Sequence, residues 1–524
     1  MTAGTAGRAR QKWARSSSAG PAVAPTWLVA LAALCALSAA IPLVYLVVRS
    51  AEAGAAELVD TVLRARVLQL TLNSVLLAAA VTASCLVLGT VSAWLLTRVR
   101  LPAPRVLLLL SALPLAVPSY LASYGWLVWL PTLDGFVPSW LILTAVCTPY
   151  VTLPVAAALR GASGDMEAVA RTLGRGPWAA FHSVTWPRIQ PAAAAGGLLV
   201  ALYTLSDFGL VAMMRYQTLT WGINSAYAAS FDRNQAALLA LVLVVLALTV
   251  VAGERRFRGR ASGTTARSRV PRGNPGWWWP GFVALLLTAP LVGVVGPLAG
   301  LTSRLFDAAT LREIDIARLG EAIAATLGLA LVGALAATAL ALPIAALAAR
   351  YRGRLVAAVE ALGFLGHALP GIVVGLSLVF FALAAVPALY QTSLVLVFCY
   401  AVLFMPKAIG SARSGIAAVP EDLTDVARMM GLSPLRTWWR ITARLALPGV
   451  GVGALLVAIS IMKELPATLL LRPTGISTLA TELWSRTTVF EFGAAAPYAA
   501  ILVLVAAVPT VILSGIRGVA KEGV

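Results

Sequence analysis

Twelve stretches of this chain stay apolar for about twenty residues at a time, long enough to cross the hydrocarbon core of a bilayer. They lie at about 27–48, 70–97, 106–130, 139–159, 192–214 and 236–252, and again at about 277–300, 321–349, 355–386, 388–412, 446–471 and 494–516. Of the 524 residues, 60% are apolar and 12% charged. That charged share is about half the usual one for globular proteins, too little polar surface to cover a set of soluble domains. The pattern therefore excludes soluble enzymes and disordered chains, and predicts an all-α polytopic membrane protein of about 12 transmembrane helices. Arg8, Arg10, Lys12 and Arg15 precede the first run, as in a signal peptide. The run is longer than a signal-peptide apolar region, so a retained first helix is expected.

The formal net charge of +19 would point to nucleic acid in a soluble protein. Here it has another source, because membrane proteins keep Arg and Lys in their cytoplasmic loops. No basic face is interleaved with aromatic residues, so no nucleic-acid partner is expected. With the N-terminus inside, the inner segments hold 29 of the 40 basic residues, counting Lys407 near the inner end of the tenth span, and the outer loops 10. The acids run the other way, 7 inside and 10 outside. Both termini are thus expected in the cytoplasm, and the lipid bilayer is a partner along most of the chain. Trp277, Trp278 and Trp279 read as an interfacial anchor. Cys35, Cys85, Cys147 and Cys399 all fall inside apolar runs without metal-ligand spacing, and read as packing residues.

Segment 253–276 is rich in Gly, Arg, Ser and Pro, has no apolar period, and reads as a flexible linker. It divides the chain into a first six-span repeat, 27–252, and a second, 277–516, with tails 1–26 and 517–524. The halves align. At an offset of 252, Arg98 meets Arg350, Arg100 meets Arg352, Pro118 meets Pro370, Cys147 meets Cys399 and Pro154 meets Pro406. Five residues then enter the second copy. At an offset of 257, Val169-Ala170-Arg171 meets Val426-Ala427-Arg428, Gly174 meets Gly431, Pro177 meets Pro434, Thr185 meets Thr442 and Pro191 meets Pro448. Six spans per copy give both copies the same orientation. Parallel repeats imply a pseudo-two-fold axis along the membrane normal with a path between the halves.

The loops after the fourth and tenth spans carry this repeat most clearly. Each reads as a short helix stopped at a Gly, Gly174 or Gly431, followed by Pro177 or Pro434 at the first turn of a second helix. Such a compact helical hairpin, projecting into the cytoplasm, is suited to entering a groove on another protein. A pair of interfacial amphipathic helices is the plainer reading, and its duplication at matching topology argues for docking.

At these residues the sequence resembles the fused permease subunits of bacterial ABC importers, whose signature is a Glu-Ala-Ala loop followed by Gly. The resemblance covers nearly the whole chain and implies the MetI-like permease fold. It also implies two copies of a cytoplasmic ABC ATPase subunit, which would dock on Glu167, Ala170, Arg171, Gly174 and Pro177 in one loop and on Asp425, Ala427, Arg428, Gly431 and Pro434 in the other. An extracytoplasmic substrate-binding protein would deliver the solute. Asp425 stands where the family has Glu; in the first loop that place is Ala168, with Glu167 one residue earlier. Leu205-Ser206-Asp207-Phe208-Gly209 and Met462-Lys463-Glu464-Leu465-Pro466 look like the ferric-iron branch, while thiamine, sulfate, molybdate and polyamine importers share the fold. A P-loop needs Gly-Lys-Ser/Thr, and none of Lys12, Lys407, Lys463 and Lys521 follows a Gly. ATP is therefore expected on the separate subunit, with no cofactor, catalytic residue or resident metal on this chain.

Within the spans, Asp207 and Glu464 align at the 257 offset, and an intramembrane carboxylate should face the bundle or a wet cavity. They read either as caps of broken helices or as a pair lining the translocation path. Lys463 adjoins Glu464, and on one continuous helix the two would point about 100° apart. Pro118 and Pro370 interrupt their spans as kinks or, more sharply, as gate hinges, the kink being the simpler account. His367 reads as a hydrogen-bonded polar group rather than an iron ligand. Two other classes weigh less. A secondary transporter would show ion-coupling acids without paired docking loops. An intramembrane enzyme would need a nucleophile–base pair or metal ligands within the spans.

Overall fold

The computed structural model describes residues 24–52, 54–161, 165–229, 232–255, 273–307 and 314–506. The tail 1–26 up to residue 23, most of the linker 253–276, the tail 517–524 and the end of the last run, from 507, lie outside the described residues. Among the described residues every regular element is helical, apart from one isolated bridge between Val99 and Gly273. This follows from the sequence. The runs are rich in Ala and Leu, strong helix formers, and in lipid a helix satisfies its backbone groups internally.

Among the described residues eight helices are long and apolar enough to cross a membrane: Ala65–Arg98, Phe136–Gly161, Trp178–Ser206, Arg233–Gly253, Gly276–Leu305, Ile316–Arg350, Ser393–Ala417 and Pro434–Met462. Two bent pairs would each add one more, Thr26–Ser38 with Ile41–Glu52 at 48° and Pro104–Ala116 with Ser119–Trp129 at 93°. Shorter apolar helices, Gly371–Ala385 and Phe492–Ala506, meet the remaining runs. Helices Ala65–Arg98 and Ile316–Arg350 have 34 and 35 residues. At 1.5 Å per residue each is about 50 Å long, well beyond a core of about 30 Å, so an end of each can stand in water.

Besides the first run, bent between Ser38 and Ile41, four runs expected as continuous spans are broken among the described residues. The breaks fall at Pro118, Asp207–Phe208, Pro370 and Lys463–Leu465. They occupy the same places in both repeats. Proline supplies the reason at three of them. Pro118 and Pro370 sit in extended backbone, ψ 147° and 141°, as the residues preceding Ser119–Trp129 and Gly371–Ala385. Pro466 begins helix Pro466–Leu471, and having no N–H for the Met462 carbonyl it cannot continue the helix that ends there. At 93° the turn at Pro118 is a full break and not the kink expected from the residue alone.

The chain clusters into two compact units, one of residues 1–41, 332–367 and 400–458, the other of 42–331, 368–399 and 459–524. The core of the first includes Ala345, Ala346, Ala412, Ile416, Val419 and Ala446, with Trp438 packed on it. Its Arg413 pairs with Glu360, a partner that sequence did not reveal. The larger unit is built around Leu121, Tyr124, Leu143, Cys147, Ile189, Leu210 and Met214. There Ser119–Trp129 packs on Gly296–Leu305 so closely that a Cβ at Gly125 would meet the Pro297 backbone, the small-residue contact favoured between helices in lipid. All four cysteines are buried and free. Many leucines and valines remain uncovered, among them Leu34, Leu109, Leu331 and Leu504, as suits helices whose outer faces meet acyl chains.

Candidate functional site

The two loops expected to dock fold as the same hairpin. Helices Asp165–Thr172 and Glu421–Met429 end at Gly174 and Gly431, with φ of +84° and +83°. Each helix closes with the same pair of backbone bonds. Gly174 N–H donates to Arg171 O and Arg175 N–H to Ala170 O; Gly431 N–H donates to Arg428 O and Leu432 N–H to Ala427 O, all at 2.9–3.1 Å. This is the Schellman closure, which places a left-handed residue after the helix and therefore favours glycine. Among the described side chains of these helices, Ala170 and Ala427, 7% and 4% exposed, are the buried ones.

Pro177 and Pro434 begin the second helix of each hairpin, and Ser433 Oγ accepts from Arg436 N–H at 3.4 Å. The chain then widens into a π-turn, Phe181–Thr185 in one copy and Trp438–Thr442 in the other. Nothing in the sequence marked these turns, which often sit at functional places. The hairpins present large apolar side chains: Val169, Leu173 and Trp178 on one, Val426, Met429, Met430 and Trp439 on the other.

The acids differ between the copies. Asp425 is exposed and pairs with Arg428 at 3.3 Å. Glu167 instead turns inward, and its Oε2 accepts from Thr185 Oγ1 at 3.1 Å. Arg171 is exposed. The side chains of Ala168 and Pro177 lie outside the described residues.

The second candidate site is a cluster at the breaks, within the larger unit. Asp207 follows the helix that ends at Ser206. Its Oδ1 accepts from Leu210 N–H at 3.0 Å, capping helix Gly209–Met213, and its Oδ2 accepts from Ser119 Oγ. Thr220 Oγ1 donates to the Asp207 carbonyl at 2.7 Å. Glu464 does the same work in the other repeat. Its Oε1 accepts from Ala467 N–H at 3.2 Å, at the start of Pro466–Leu471. The counterpart of Ser119 at the 252 offset is Gly371, where an ideal Cβ would lie 2.7 Å from Glu464 Oε1. The shorter acid thus has a hydroxyl to bridge the gap, and the longer one has a glycine that makes room.

Lys463 stands at the turn after Met462, outside any helix, so the 100° separation expected on a continuous helix does not apply. Its Nζ donates to Leu115 O at 3.1 Å, while Tyr120 Oη donates to the Lys463 carbonyl at 3.4 Å. Asp207, Glu464 and Lys463 therefore meet the chain beside Pro118 and Pro370, from both repeats. The side chain of His367, in the short helix Leu365–Ala368, lies outside the described residues. Sequence reading missed Ser119, Tyr120, Gly371 and the Leu115 carbonyl. The repeat offset held a signal for Ser119 and Gly371, which differ between the copies as their acids differ.

Residues 341–520 match the family described as binding-protein-dependent transport system inner membrane component. The chain is 32% identical over 499 residues to the Fe(3+)-transport system permease protein FbpB 2 of Haemophilus influenzae, covering 93% of this chain and 98% of that protein. The sulfate transport system permease protein CysT of Escherichia coli is 32% identical over 141 residues, 24% of this chain and 50% of that one. The molybdenum transport system permease protein ModB of Mycobacterium tuberculosis is 30% identical over 203 residues, 35% and 76% of the two chains. Related over nearly its full length to one such permease, the chain belongs to the binding-protein-dependent transport system inner membrane components, the membrane-spanning permeases of ABC transporters.

Proposed function

We propose that this permease carries ferric iron, bare or chelated, from an extracytoplasmic substrate-binding protein into the cytoplasm of a bacterial cell. The observation that carries the substrate is the extent of similarity to the Haemophilus influenzae Fe(3+) permease, 93% of this chain, against 24% and 35% for the sulfate and molybdenum permeases. Iron here is cargo. Hydrolysis of ATP occurs on a separate ATPase, of which two copies dock, one on each hairpin. Both termini and both hairpins face the cytoplasm, a placement supported by the distribution of basic residues.

The break cluster supplies the gate. In the closed arrangement the Lys463 ammonium holds Leu115 O, at the end of the third span's first half, and Tyr120 Oη holds the Lys463 carbonyl. Asp207 and Glu464 hold the starts of the short helices that follow, where a carboxylate is favoured by the helix dipole. Movement of the hairpins reaches the cluster through Trp178–Ser206 and Pro434–Met462, the helices that each run from a hairpin to a break. Separation of these contacts opens the path.

The test is ATPase stimulation in the reconstituted complex. Ferric-loaded binding protein should raise hydrolysis severalfold over apo protein, and sulfate- or molybdate-charged preparations should not. Stimulation by an oxyanion-loaded binding protein, with none by the ferric form, would overturn the assignment.

A further inference from the structure

Each repeat contains a residue that no functional reading above has used, the arginine ending its longest helix. Arg98 closes Ala65–Arg98 and Arg350 closes Ile316–Arg350, and the two align at the 252 offset. Each reaches the first part of the hairpin helix in its own repeat. The Arg98 side chain is 8% exposed, and its Nη2 lies 4.0 Å from Glu167 Oε2. That oxygen also accepts from Thr185 Oγ1, at the end of the π-turn. Arg98, Glu167 and Thr185 therefore join three elements at one point: the end of the long helix, the hairpin helix and the start of the following span.

The second copy reaches the same result with different partners. Arg350 Nη1 donates to Glu421 Oε1 at 3.4 Å, on the first residue of the hairpin helix Glu421–Met429. Its Nη2 donates to Ile416 O at 3.2 Å and Val419 O at 3.0 Å, where helix Ser393–Ala417 gives way to the hairpin. The acid differs in position, the third residue of one hairpin helix and the first of the other. The arginine is common to both. Its chemistry suits the task. A guanidinium is always charged, offers several donors in a rigid fork, and can bind a carboxylate and carbonyls together. A cation at a helix C-terminus also meets the negative end of the dipole. Burying the Arg98 charge is costly unless it is paired, which ties it to Glu167, while Arg350, 17% exposed, is held by its three acceptors.

We infer that Arg98 and Arg350 are positioning residues that transmit hairpin movement to the long helix of each repeat, Arg98 through Glu167 and Arg350 through Glu421 and the carbonyls beside it. This rests on the reading of the hairpins as ATPase docking sites. It also explains the uneven acids. In the first copy the acid is bound to Arg98 and Thr185, while in the second Glu421 meets Arg350 and Asp425 is left facing outward.

The test uses the full chain assembled with its ATPase and binding protein in liposomes, and reads solute moved per ATP hydrolysed. Arg98→Gln and Arg350→Gln should insert, co-purify with the ATPase and support hydrolysis, yet transport at least tenfold less per ATP. Glu167→Gln retains the acceptor for Thr185 and removes the charge, so it should lower the ratio less. Arg98→Lys should preserve most coupling, because a single charge suffices beside Glu167. Arg350→Lys should not, since one ammonium cannot replace a fork holding Glu421, Ile416 O and Val419 O. Faster amide exchange across 165–174 in Arg98→Gln would support the link even if that variant assembles poorly. An unchanged ratio in both glutamine variants, in complexes that Gly431→Trp does uncouple, would refute the arginines alone. Full coupling with Gly174 and Gly431 both replaced by Trp would remove the docking reading and this one with it.

Discussion

Gly371→Ser is the most informative single change at the break cluster. Any Cβ at 371 would lie 2.7 Å from Glu464 Oε1, inside van der Waals contact, and 3.6 Å from Pro466 Cγ. The carboxylate, the far end of a flexible side chain, must then swing aside, which weakens its bond to Ala467 N–H, now 3.2 Å. Loss of such a cap costs about 1 kcal/mol. Glu464→Asp alone withdraws the carboxylate by one methylene and loses the cap in another way. Together, Gly371→Ser and Glu464→Asp recreate the Ser119–Asp207 arrangement of the first repeat. The double variant should therefore be more stable than either single one, with a coupling of about 1–2 kcal/mol of opposite sign to the two losses. Thermal unfolding of the purified chain in detergent, followed by a folding-sensitive fluorophore, gives the order of the four proteins. The reasoning fails if Gly371→Ser is as stable as the parent, or if the double variant is no better than the worse single one.

Gly174→Trp and Gly431→Trp place a bulky residue at φ near +84°, a cost of about 1–2 kcal/mol each. Space around both is open, so both should insert and differ chiefly in ATPase coupling, the larger loss falling at Gly431, beside the outward Asp425. Asp207→Asn keeps a capping oxygen for Leu210 N–H but removes the charged acceptor of Ser119 Oγ, and should cost about 1–3 kcal/mol of stability. Solute uptake measured alongside Glu464→Gln should also fall, and wild-type uptake in both singles and the double would remove these acids from the path. After replacement of the four buried cysteines, Gly174→Cys and Gly431→Cys should react with a membrane-impermeant maleimide from the cytoplasmic side; labelling from outside would reverse the topology.

Much of this architecture was legible because lipid imposes simple rules on residue order. Apolar runs of about twenty residues mark helices, and a Gly then a Pro at matched positions marks the ends and starts around Gly174 and Gly431. The breaks were harder. Pro118 alone is compatible with a kink or a 93° turn, and which occurs depends on partners such as Ser119 and Asp207, distant in sequence. Lys463 and Glu464 were expected on one helix, but Pro466 ends it at Met462 and frees both side chains to turn. Glu360 is paired with Arg413, 53 residues away, a contact no local pattern marks. The π-turns add one residue to a helical turn and leave no periodic trace.

The central claim is ATP-driven import of ferric iron through this chain. Proteoliposomes containing the permease, its ATPase and its binding protein, with ATP on the ATPase side, should accumulate radioactive iron supplied as a ferric salt or chelate. Accumulation should stop when ATP is replaced by a non-hydrolysable analogue and should persist in excess sulfate and molybdate. Iron uptake that continues without hydrolysis, or ATP-dependent uptake of an oxyanion with none of iron, would contradict the account.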